Sequence, residues 1–465
     1  MDRDTRYDAF RARRARLAET LRREGGGVAI VPTAPERNRN GDNDHPYRHG
    51  SDFHYLTGFA EPGAWLVVDA DGRSTLACRP KNAEREIWDG FRLGVEAAPA
   101  VLGVDAALPL DELDDWMRSH LARQPAVWIQ SGTPGLQARL DGWLDAVRSR
   151  ERMGSEPPRV QRDLAPVLAA MRIVKDAGEL QTMRRAAAIS AGAHVRAMRF
   201  CAEWFRRSPE AGLPEYAIEA ELLHEFRRHG ADGPAYGSIV AAGANACVLH
   251  YEAGRAELRR GELCLIDAGC ELDGYASDVT RTFPADGRFS PPQRELYDLV
   301  LAAHGAAIAA TGPGARQRDA HAAAVRVLSQ GLLDLGLLDG AKVGGLDAVV
   351  ETGAYRRYYM HGTGHWLGRD VHDVGDYMAA DEAPVEQPDW LGGRVVKRPS
   401  RKLEVGMVVT IEPGLYVRPA EDIPERWWNI GIRIEDDVVV TAEGREIISS
   451  GAPVAAAEIE ALMRG

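Results

Sequence analysis

Two apolar runs separated by a tight turn constrain this chain more than any other feature of its sequence. Residues 261–284 read GELCLIDAGCELDGYASDVTRTFP, and Asp273-Gly274 is the turn signal between two predicted strands. With the turn placed over 271–274, Asp267 and Asp278 are predicted to lie opposite each other, with Cβ atoms about 4.5–5.5 Å apart. Two carboxylates that close repel unless positive charge lies between them. The pattern indicates a metal site, the alternative being aspartates in a turn or an ion pair.

Two more acidic residues stand inside apolar segments later in the chain. Glu412 is the penultimate residue of 406–413 (GMVVTIEP), and Glu435 lies in 431–439 (GIRIEDDVV). Strand alternation places Arg433 on the same face as Glu435 and opposite the isoleucines at 432 and 434. A carboxylate within an apolar strand is a candidate ligand, although each could also be a solvent-facing strand residue.

Three histidines and three glycines share a short segment. Residues 359–373 read YMHGTGHWLGRDVHD and contain His361, His365 and His372. The glycines at 362, 364 and 368 argue against a helix and for backbone that closely approaches another group. A single histidine is more often a core or surface residue, but three together favour a functional segment.

One imidazole and four carboxylates form a hard, oxygen-rich ligand set. Such a set suits Mn²⁺, Fe²⁺ or Co²⁺ better than a thiolate zinc site. Four carboxylates exceed what one ion with open positions needs, but they suit two ions about 3.5–4 Å apart. The expected chemistry is hydrolysis by a metal-bridged water or hydroxide.

The pattern of predicted elements indicates an α+β protein with two domains. Short apolar runs predict strands at 28–32 and 64–69 and a helix at 111–123, and 150–160 is the best linker candidate. Asp176 and Glu179 resemble a capping box that begins a long helix. Further elements are predicted as helices at 180–205, 214–230, 292–311 and 317–335 and as strands at 262–270, 275–283, 407–412 and 430–441.

Composition excludes several classes of protein. Lys+Arg 57 against Asp+Glu 69 leaves a net charge of −12, which disfavours binding to nucleic acid or to an anionic membrane. We expect no membrane span and no secretory signal, because long apolar runs are missing. The five cysteines form no CxxC and are expected to be reduced thiols of a cytoplasmic protein.

In order, DAG…DVTRTF, HGTGHWLG…VHDVG, TIEPGLY and IRIEDD resemble the motifs of the pita-bread metallopeptidase family (M24) over residues 170–450. The N-terminal half resembles that of the bacterial Xaa-Pro aminopeptidases through YRHGSDFHYLTGFAEPGAWLVV and EIWDGFRLG. The resemblance implies a smaller N-terminal α/β domain at 1–165. It also implies a catalytic pita-bread domain at 166–465, a curved antiparallel sheet covered by helices.

The resemblance also implies a role for each matching residue. Asp267 would bind one metal, His365 and Glu412 the other, and Asp278 and Glu435 would bridge both. Glu412 could also take a proton from the attacking water. The remaining matches are His250 on the substrate side, His361 facing the cleft, His372 as a proton shuttle, Arg433 and Tyr416 as residues supporting the substrate, and Trp88 and Asp42 as residues that close the cleft of a neighbouring subunit.

The implied activity is removal of the N-terminal residue from peptides with proline at the second position. The resemblance also implies two divalent metal ions, which in this family are usually Mn²⁺. A homodimer or homotetramer is implied as well. Prolidase, which cleaves only Xaa-Pro dipeptides, shares the metal motifs and is the main alternative. A non-catalytic binding protein on the same fold is the other, but such proteins lose ligands that are all present here. Residues 376–402 are expected to form a surface loop.

Overall fold

The computed structural model describes residues 3–389 and 393–465, and the chain forms two compact units, Met1–Met171 and Arg172–Gly465. The predicted domain boundary, between 165 and 166, lies slightly before this division. The linker candidate 150–160 lies within the first unit, where it leads into the strand Val160–Asp163.

The first unit is built on a mixed six-stranded sheet. Its strands lie in the order Ala106–Pro109, Ser74–Cys78, Trp65–Asp69, Val28–Pro32, Ala126–Ile129 and Val160–Asp163. Alternate residues of the central strand enter two separate cores, Ala29 and Val31 on one face and Val28 and Ile30 on the other. A sheet that is apolar on both faces must be covered on both, which makes this unit the expected α/β domain.

The helices of this unit are Arg3–Arg23, Ser51–Thr57, Ala83–Asp89, Ala98–Leu102, Leu113–His120, Leu136–Arg148 and Ala165–Arg172, the last of which ends on the first residue of the second unit. A small hairpin, Asn38–Asn40 with Asn43–Asp44, completes it.

The second unit consists of antiparallel strand pairs covered by helices. The paired strands are Ile239–Ala242, Leu263–Asp267 and Thr280–Pro284; Gly233–Pro234, Cys270–Leu272 and Tyr275–Ala276; Val408–Ile411, Asp436–Thr441 and Gly444–Ile447; Gly414–Val417 and Ile430–Arg433; Leu213–Pro214 and Glu257–Leu258; and Val385–Asp389 and Gly393–Lys397. A bridge between Thr280 and Glu435 connects the sheet that contains Thr280–Pro284 to the residue that directly precedes the strand Asp436–Thr441.

The helices of the second unit are Ala177–Arg207, Glu215–Arg228, Pro291–Ala310, Gln317–Asp334, Gly340–Val343, Leu346–Thr352 and Ala456–Arg464. The predicted capping box is confirmed, since Asp176 accepts the Glu179 N–H and Glu179 accepts the Asp176 N–H. Helix Ala177–Arg207 packs on the strand Cys270–Leu272, and Pro291–Ala310 packs on Ile430–Arg433.

The predicted hairpin forms, but its register was wrong by two residues. Asp273 (φ 51°) and Gly274 (φ 73°) occupy both central turn positions, as a type I′ turn requires. Leu272 therefore pairs with Tyr275, and Asp267 lies opposite Thr280 rather than Asp278. A shift of two leaves every side chain on its original face, so Asp278 becomes a diagonal neighbour of Asp267.

Residues 376–402 contain the hairpin Val385–Asp389 and Gly393–Lys397, and 390–392 lie outside the described residues. All five cysteines are buried and free, as expected. Of the helices in 3–389 and 393–465, none is long and apolar enough to cross a membrane.

Candidate metal centre

A cavity of about 350 Å³ in the second unit brings together most of the predicted site residues. Its walls come from strand ends on one side and from the glycine-rich histidine segment on the other. The ionisable residues that line it are His250, Asp267, Asp278, His361, His365, His372, Tyr377, Glu412, Arg433 and Glu435.

Three of these side chains form a compact donor cluster. Donor atoms of Asp278, His365 and Glu435 all lie within 4.8 Å of one another. His365 places Nε2 3.4 Å from Asp278 Oδ2, and its Nδ1 contacts the Trp366 carbonyl at 3.0 Å. The carbonyl can only accept, so Nδ1 carries the proton and Nε2 is the atom presented to the cavity.

Asp267 and Asp278 are joined through a tyrosine from another part of the chain. The Tyr236 hydroxyl lies 2.6 Å from Asp267 Oδ1 and 2.5 Å from Asp278 Oδ1. Arg433 Nη2 donates to Asp267 Oδ2 at 2.6 Å. The phenol has one proton and donates to one of these two oxygens at a time, and a guanidinium holds the other oxygen of Asp267.

Glu435 is held by a buried strand crossing. Thr280 Oγ1 donates to Glu435 Oε2 at 2.7 Å, and the Glu435 N–H donates to the Thr280 carbonyl. Arg281, which is fully buried, donates from Nη1 to the Glu435 carbonyl and from Nη2 to Asp436. The backbone on both sides of the carboxylate is thus hydrogen-bonded.

Glu412 follows directly on the strand Val408–Ile411 and is tied to the histidine segment by backbone bonds. Its N–H donates to the Thr363 carbonyl at 2.8 Å, and the Thr410 N–H donates to the His365 carbonyl at 3.0 Å. Val409 and Ile411, which alternate with Thr410 and Glu412, enter the main core.

His361 belongs to a chain of hydrogen bonds rather than to the donor cluster. Arg433 Nη1 donates to Tyr416 Oη at 3.0 Å, and that oxygen lies 2.8 Å from His361 Nε2. His361 Nδ1 contacts the Gly362 carbonyl at 2.7 Å, so this nitrogen carries the proton. Burial and the Arg433 guanidinium lower the pKa of His361 to about 3, which keeps the ring neutral.

The cavity concentrates more negative charge than its own cations balance. Burial raises the pKa of Glu412 to about 7 and, together with the Asp278 carboxylate, the pKa of Glu435 well above its usual range. Burial opposes a charged His365, but the Asp278 carboxylate outweighs it and raises the pKa of the imidazole to about 9. Buried carboxylates in this arrangement fit a divalent cation, which would compensate them and accept their oxygens.

Comparisons with known proteins agree with this geometry. The sequence profile described as Metallopeptidase family M24 matches residues 181–442, and that described as Aminopeptidase P, N-terminal domain, matches 10–128. The Xaa-Pro aminopeptidase of Escherichia coli K12 is 40% identical, over 98% of this chain and 97% of its own length. The chain belongs to metallopeptidase family M24.

Solved structures of M24 relatives extend the likeness to the fold. Pseudomonas aeruginosa aminopeptidase PepP superposes with a TM-score of 0.88 at 44% identity over 98% of both chains. Proline aminopeptidase P II from Yersinia pestis does so with a TM-score of 0.88 at 42% identity, over 98% of this chain and 99% of its own. The second unit has the pita-bread fold expected of the family, and the first unit is the α/β domain.

The predicted site residues do not all lie in one place. His250 and His372 line the cavity with exposed side chains. Tyr416 is buried behind the cavity and contacts it through Arg433 and His361. Asp42 and Trp88 belong to the first unit, where Trp88 is 82% exposed. The roles of all these residues stay predictions.

Several residues that shape the centre were not predicted from sequence. Thr280 and Arg281 lie within the DVTRTF motif but had been given no role. Thr363 stands between two of the glycines of the histidine segment. Tyr236 comes from a segment in which no motif was recognised, and only the fold brings its hydroxyl to the two aspartates.

Proposed function

We propose that this chain is an aminopeptidase that releases the N-terminal residue from peptides with proline at the second position. The observation that carries the proposal is the cluster of Asp278, His365 and Glu435, in one cavity with Asp267 and Glu412. Relatives that span the whole chain carry the name Xaa-Pro aminopeptidase, which supports the substrate class.

Five side chains would hold two divalent metal ions. Asp267 would bind one ion, His365 and Glu412 the other, and Asp278 and Glu435 would bridge them. Bound ions would supply Lewis-acid stabilisation of the developing oxyanion and a water of lowered pKa. The oxygen-rich donors favour Mn²⁺, which we propose as the metal of the native enzyme.

The chain's own residues would bind the substrate and move protons around the scissile bond. Glu412, whose carboxyl has a pKa near 7, is placed to take a proton from the attacking water. The exposed imidazoles of His250 and His372 are the groups free to reach substrate, and we assign proton delivery to the leaving nitrogen to His372. His361 and Tyr416 hold Arg433 toward the cavity.

Proline at the second position changes what the site must recognise. The scissile bond is then a tertiary amide without an N–H, so a site requiring that donor would reject it. Proline nitrogen becomes a secondary amine on cleavage and needs one proton, which is the step assigned to His372.

The assembly and location of the enzyme belong to the same proposal. We expect a homodimer or homotetramer in which Asp42 and Trp88 close the cleft of a neighbouring subunit. The exposed indole of Trp88 supports a role in a contact outside its own unit. Reduced, buried cysteines support a cytoplasmic location.

A peptide series would test the activity. Metal-depleted enzyme would be reconstituted with Mn²⁺, Co²⁺ or Zn²⁺ and assayed on Xaa-Pro, Xaa-Pro-Yaa-Zaa and Xaa-Ala-Yaa-Zaa. We expect release of Xaa from the longer proline peptide, and highest turnover with Mn²⁺. Turnover restricted to the dipeptide would instead identify a prolidase, and none on any proline peptide would reject the proposal.

A further inference from the structure

The segment 366–375 carries His372 but contains neither a helix nor a strand. A few backbone bonds tie its first half to neighbouring strands: the Leu367 N–H donates to the Val408 carbonyl, and the Ala276 N–H donates to the Gly368 carbonyl. The Asp373 N–H donates back to the Trp366 carbonyl at 2.9 Å, which closes the segment into a loop. Side-chain contacts must therefore hold much of this backbone in place.

The residue after His372 lies in a buried group of charges. Asp373 is buried, with Oδ1 2.5 Å from Arg172 Nη2 and Oδ2 3.0 Å from Lys175 Nζ. Arg172 also donates to Asp370 Oδ2 at 2.7 Å. Two cations and two anions thus balance, and we call these four residues the Asp373 cluster.

The close fit of the backbone around the Asp373 cluster leaves little freedom. A Cβ at Gly368 would lie 2.1 Å from Asp373 Oδ2, so the carboxylate packs directly against a backbone that only glycine allows. At Gly375 (φ +145°) a Cβ would lie 2.6 Å from Ile173 Cδ1. Residues 172–175 therefore support both halves of the loop.

His372 itself is on the other side of this backbone. Its side chain is exposed and lines the cavity, and its ring meets the His365 ring edge to face with centroids 4.3 Å apart. The Asp373 side chain is buried while the neighbouring His372 side chain is exposed, so fixing Asp373 fixes the backbone from which His372 reaches the cavity. An exposed imidazole has many rotamers, and a fixed backbone is what limits its reach.

We propose that Asp373, paired with Arg172 and Lys175, is a positioning residue that holds His372 for proton transfer to the leaving nitrogen. This inference rests on the proposed function and adds to it a residue outside the cavity. The bonds described for Asp373 go to Arg172, Lys175 and the Trp366 carbonyl rather than to the five proposed metal ligands, and it would act through the backbone that it shares with His372.

A double-mutant cycle tests this coupling. Asp373→Asn keeps the shape of the side chain but removes its charge, and should lower kcat about 10- to 100-fold with little change in KM, since a shift of about 1 Å is costly in a catalytic group. Added to His372→Ala, the same substitution should change kcat by less than about twofold. An equal loss in both backgrounds would overturn the proposal, because Asp373 would then act independently of His372.

Hydrogen exchange gives a second readout that needs no activity. Amides of 366–375 should lose protection in Asp373→Asn and keep it in Glu446→Gln, which removes a surface ion pair with Arg184. Unchanged protection of 366–375 in Asp373→Asn would overturn the proposal, whatever reaction the chain catalyses. If Asp373→Asn loses protection but the wild-type enzyme has no activity on proline peptides, only the assigned reaction step is rejected.

Asp373→Asn leaves buried cations with one partner fewer and risks unfolding the chain. Lys175→Met keeps the Arg172–Asp373 pair and a side chain of similar length, and serves as the second variant. It should show the same pattern on a smaller scale: lower kcat, no further loss with His372→Ala, and faster exchange in 366–375. Wild-type kcat and exchange in Lys175→Met would also count against the cluster.

Discussion

The two sides of the metal cavity are built by different means. On one side, Asp267 ends the strand Leu263–Asp267 and Arg433 ends Ile430–Arg433, both within antiparallel ladders, and Glu435 lies at a strand crossing. On the other side, His361, His365 and His372 lie on irregular backbone between 359 and 373, where Trp366 makes the one bridge to a strand in the described residues.

The difference lies in what holds each side chain. The carboxylates on the strand side are oriented by Thr280 and Arg433, which the ladders place, and by the Tyr236 hydroxyl. The histidines depend on glycines that let two backbones approach and on buried polar groups beneath the loop. We therefore expect the strand side to lose function when a metal-binding side chain is replaced. We expect the loop side to lose function when a single methyl group is added to one of its closely packed glycines.

The largest effect should follow removal of a strand-side donor. Glu435→Gln keeps the size of the side chain and the bond to Thr280 but removes a charge shared by both proposed ions, and Asp278→Ala removes a donor outright. We expect kcat/KM on a proline peptide to fall roughly 10³-fold or more, with loss of bound metal by elemental analysis. Glu446→Gln, at the surface, is the matched control. Full activity in Glu435→Gln would refute a two-metal mechanism.

The next largest effect should follow the addition of one methyl group to a glycine on the loop side. A Cβ at Gly364 would lie 1.9 Å from the Thr410 carbonyl oxygen, whereas a Cβ at Gly362 would meet nothing within 4 Å. Gly364→Ala should therefore lower the stability of the fold by roughly 3 kcal/mol or more and kcat about 10²-fold.

Gly362→Ala, two residues away, should stay within about threefold of wild type in kcat. Thermal unfolding and steady-state kinetics on both variants check this. Similar behaviour of the two alanine variants would mean that close backbone approach does not set the position of the loop.

The same difference between the two sides explains which parts of the site could be predicted from the sequence. The strand side was predictable, because alternation alone separates Ile432 and Ile434, which enter the core, from Arg433 and Glu435. Even the wrong register kept Asp267 and Asp278 on one face, since an error of two preserves the period of a strand. Asp273-Gly274 is a turn signal in the sequence, but only the positive φ of both residues shows that a type I′ turn is centred on them.

The loop side could be recognised only as a segment. Its glycines predict that the backbone closely approaches another group, but they do not identify that group. Only the fold shows that the approached groups include Thr410 and Asp373. Tyr236 and Thr280 were missed for the same reason: a hydroxyl that orients a carboxylate carries no periodic signal. Long-range hydrogen bonds between segments 30 or more residues apart have no trace in local pattern.

A smaller effect should follow loss of the Tyr236 hydroxyl on the strand side. Tyr236→Phe removes the hydroxyl that lies within hydrogen-bond distance of Asp267 and Asp278, and it leaves the ring in place. Loss of a partner that orients metal ligands typically weakens metal binding about 10- to 100-fold. Competition with a chelator measures it, with Tyr216→Phe at an exposed position as the control. Unaltered affinity would show that the aspartates are held by the ladder and Arg433 alone.

The smallest effect on stability at neutral pH should come from replacing two histidines, one beneath each side of the cavity. His194 contacts the Ala268 carbonyl next to Asp267, and His321 Nδ1 contacts the Thr363 hydroxyl in the loop. Burial lowers the pKa of each to about 4, with help from Arg281 for His194 and from Arg318 for His321. Both rings are therefore neutral in the folded protein at pH 7.

The sign of the pH effect follows from these values. Unfolded histidine takes a proton near pH 6.5 but the folded sites only near pH 4, so the unfolded state binds more protons between these limits. Each histidine then contributes stability that is complete above about pH 6.5 and falls by roughly 3 kcal/mol as pH drops to 4. His194→Gln and His321→Gln should each flatten this acid loss, measured by urea unfolding from pH 7 to 4. If only His194→Gln flattens it, the loop side opens to solvent in acid before the strand side does.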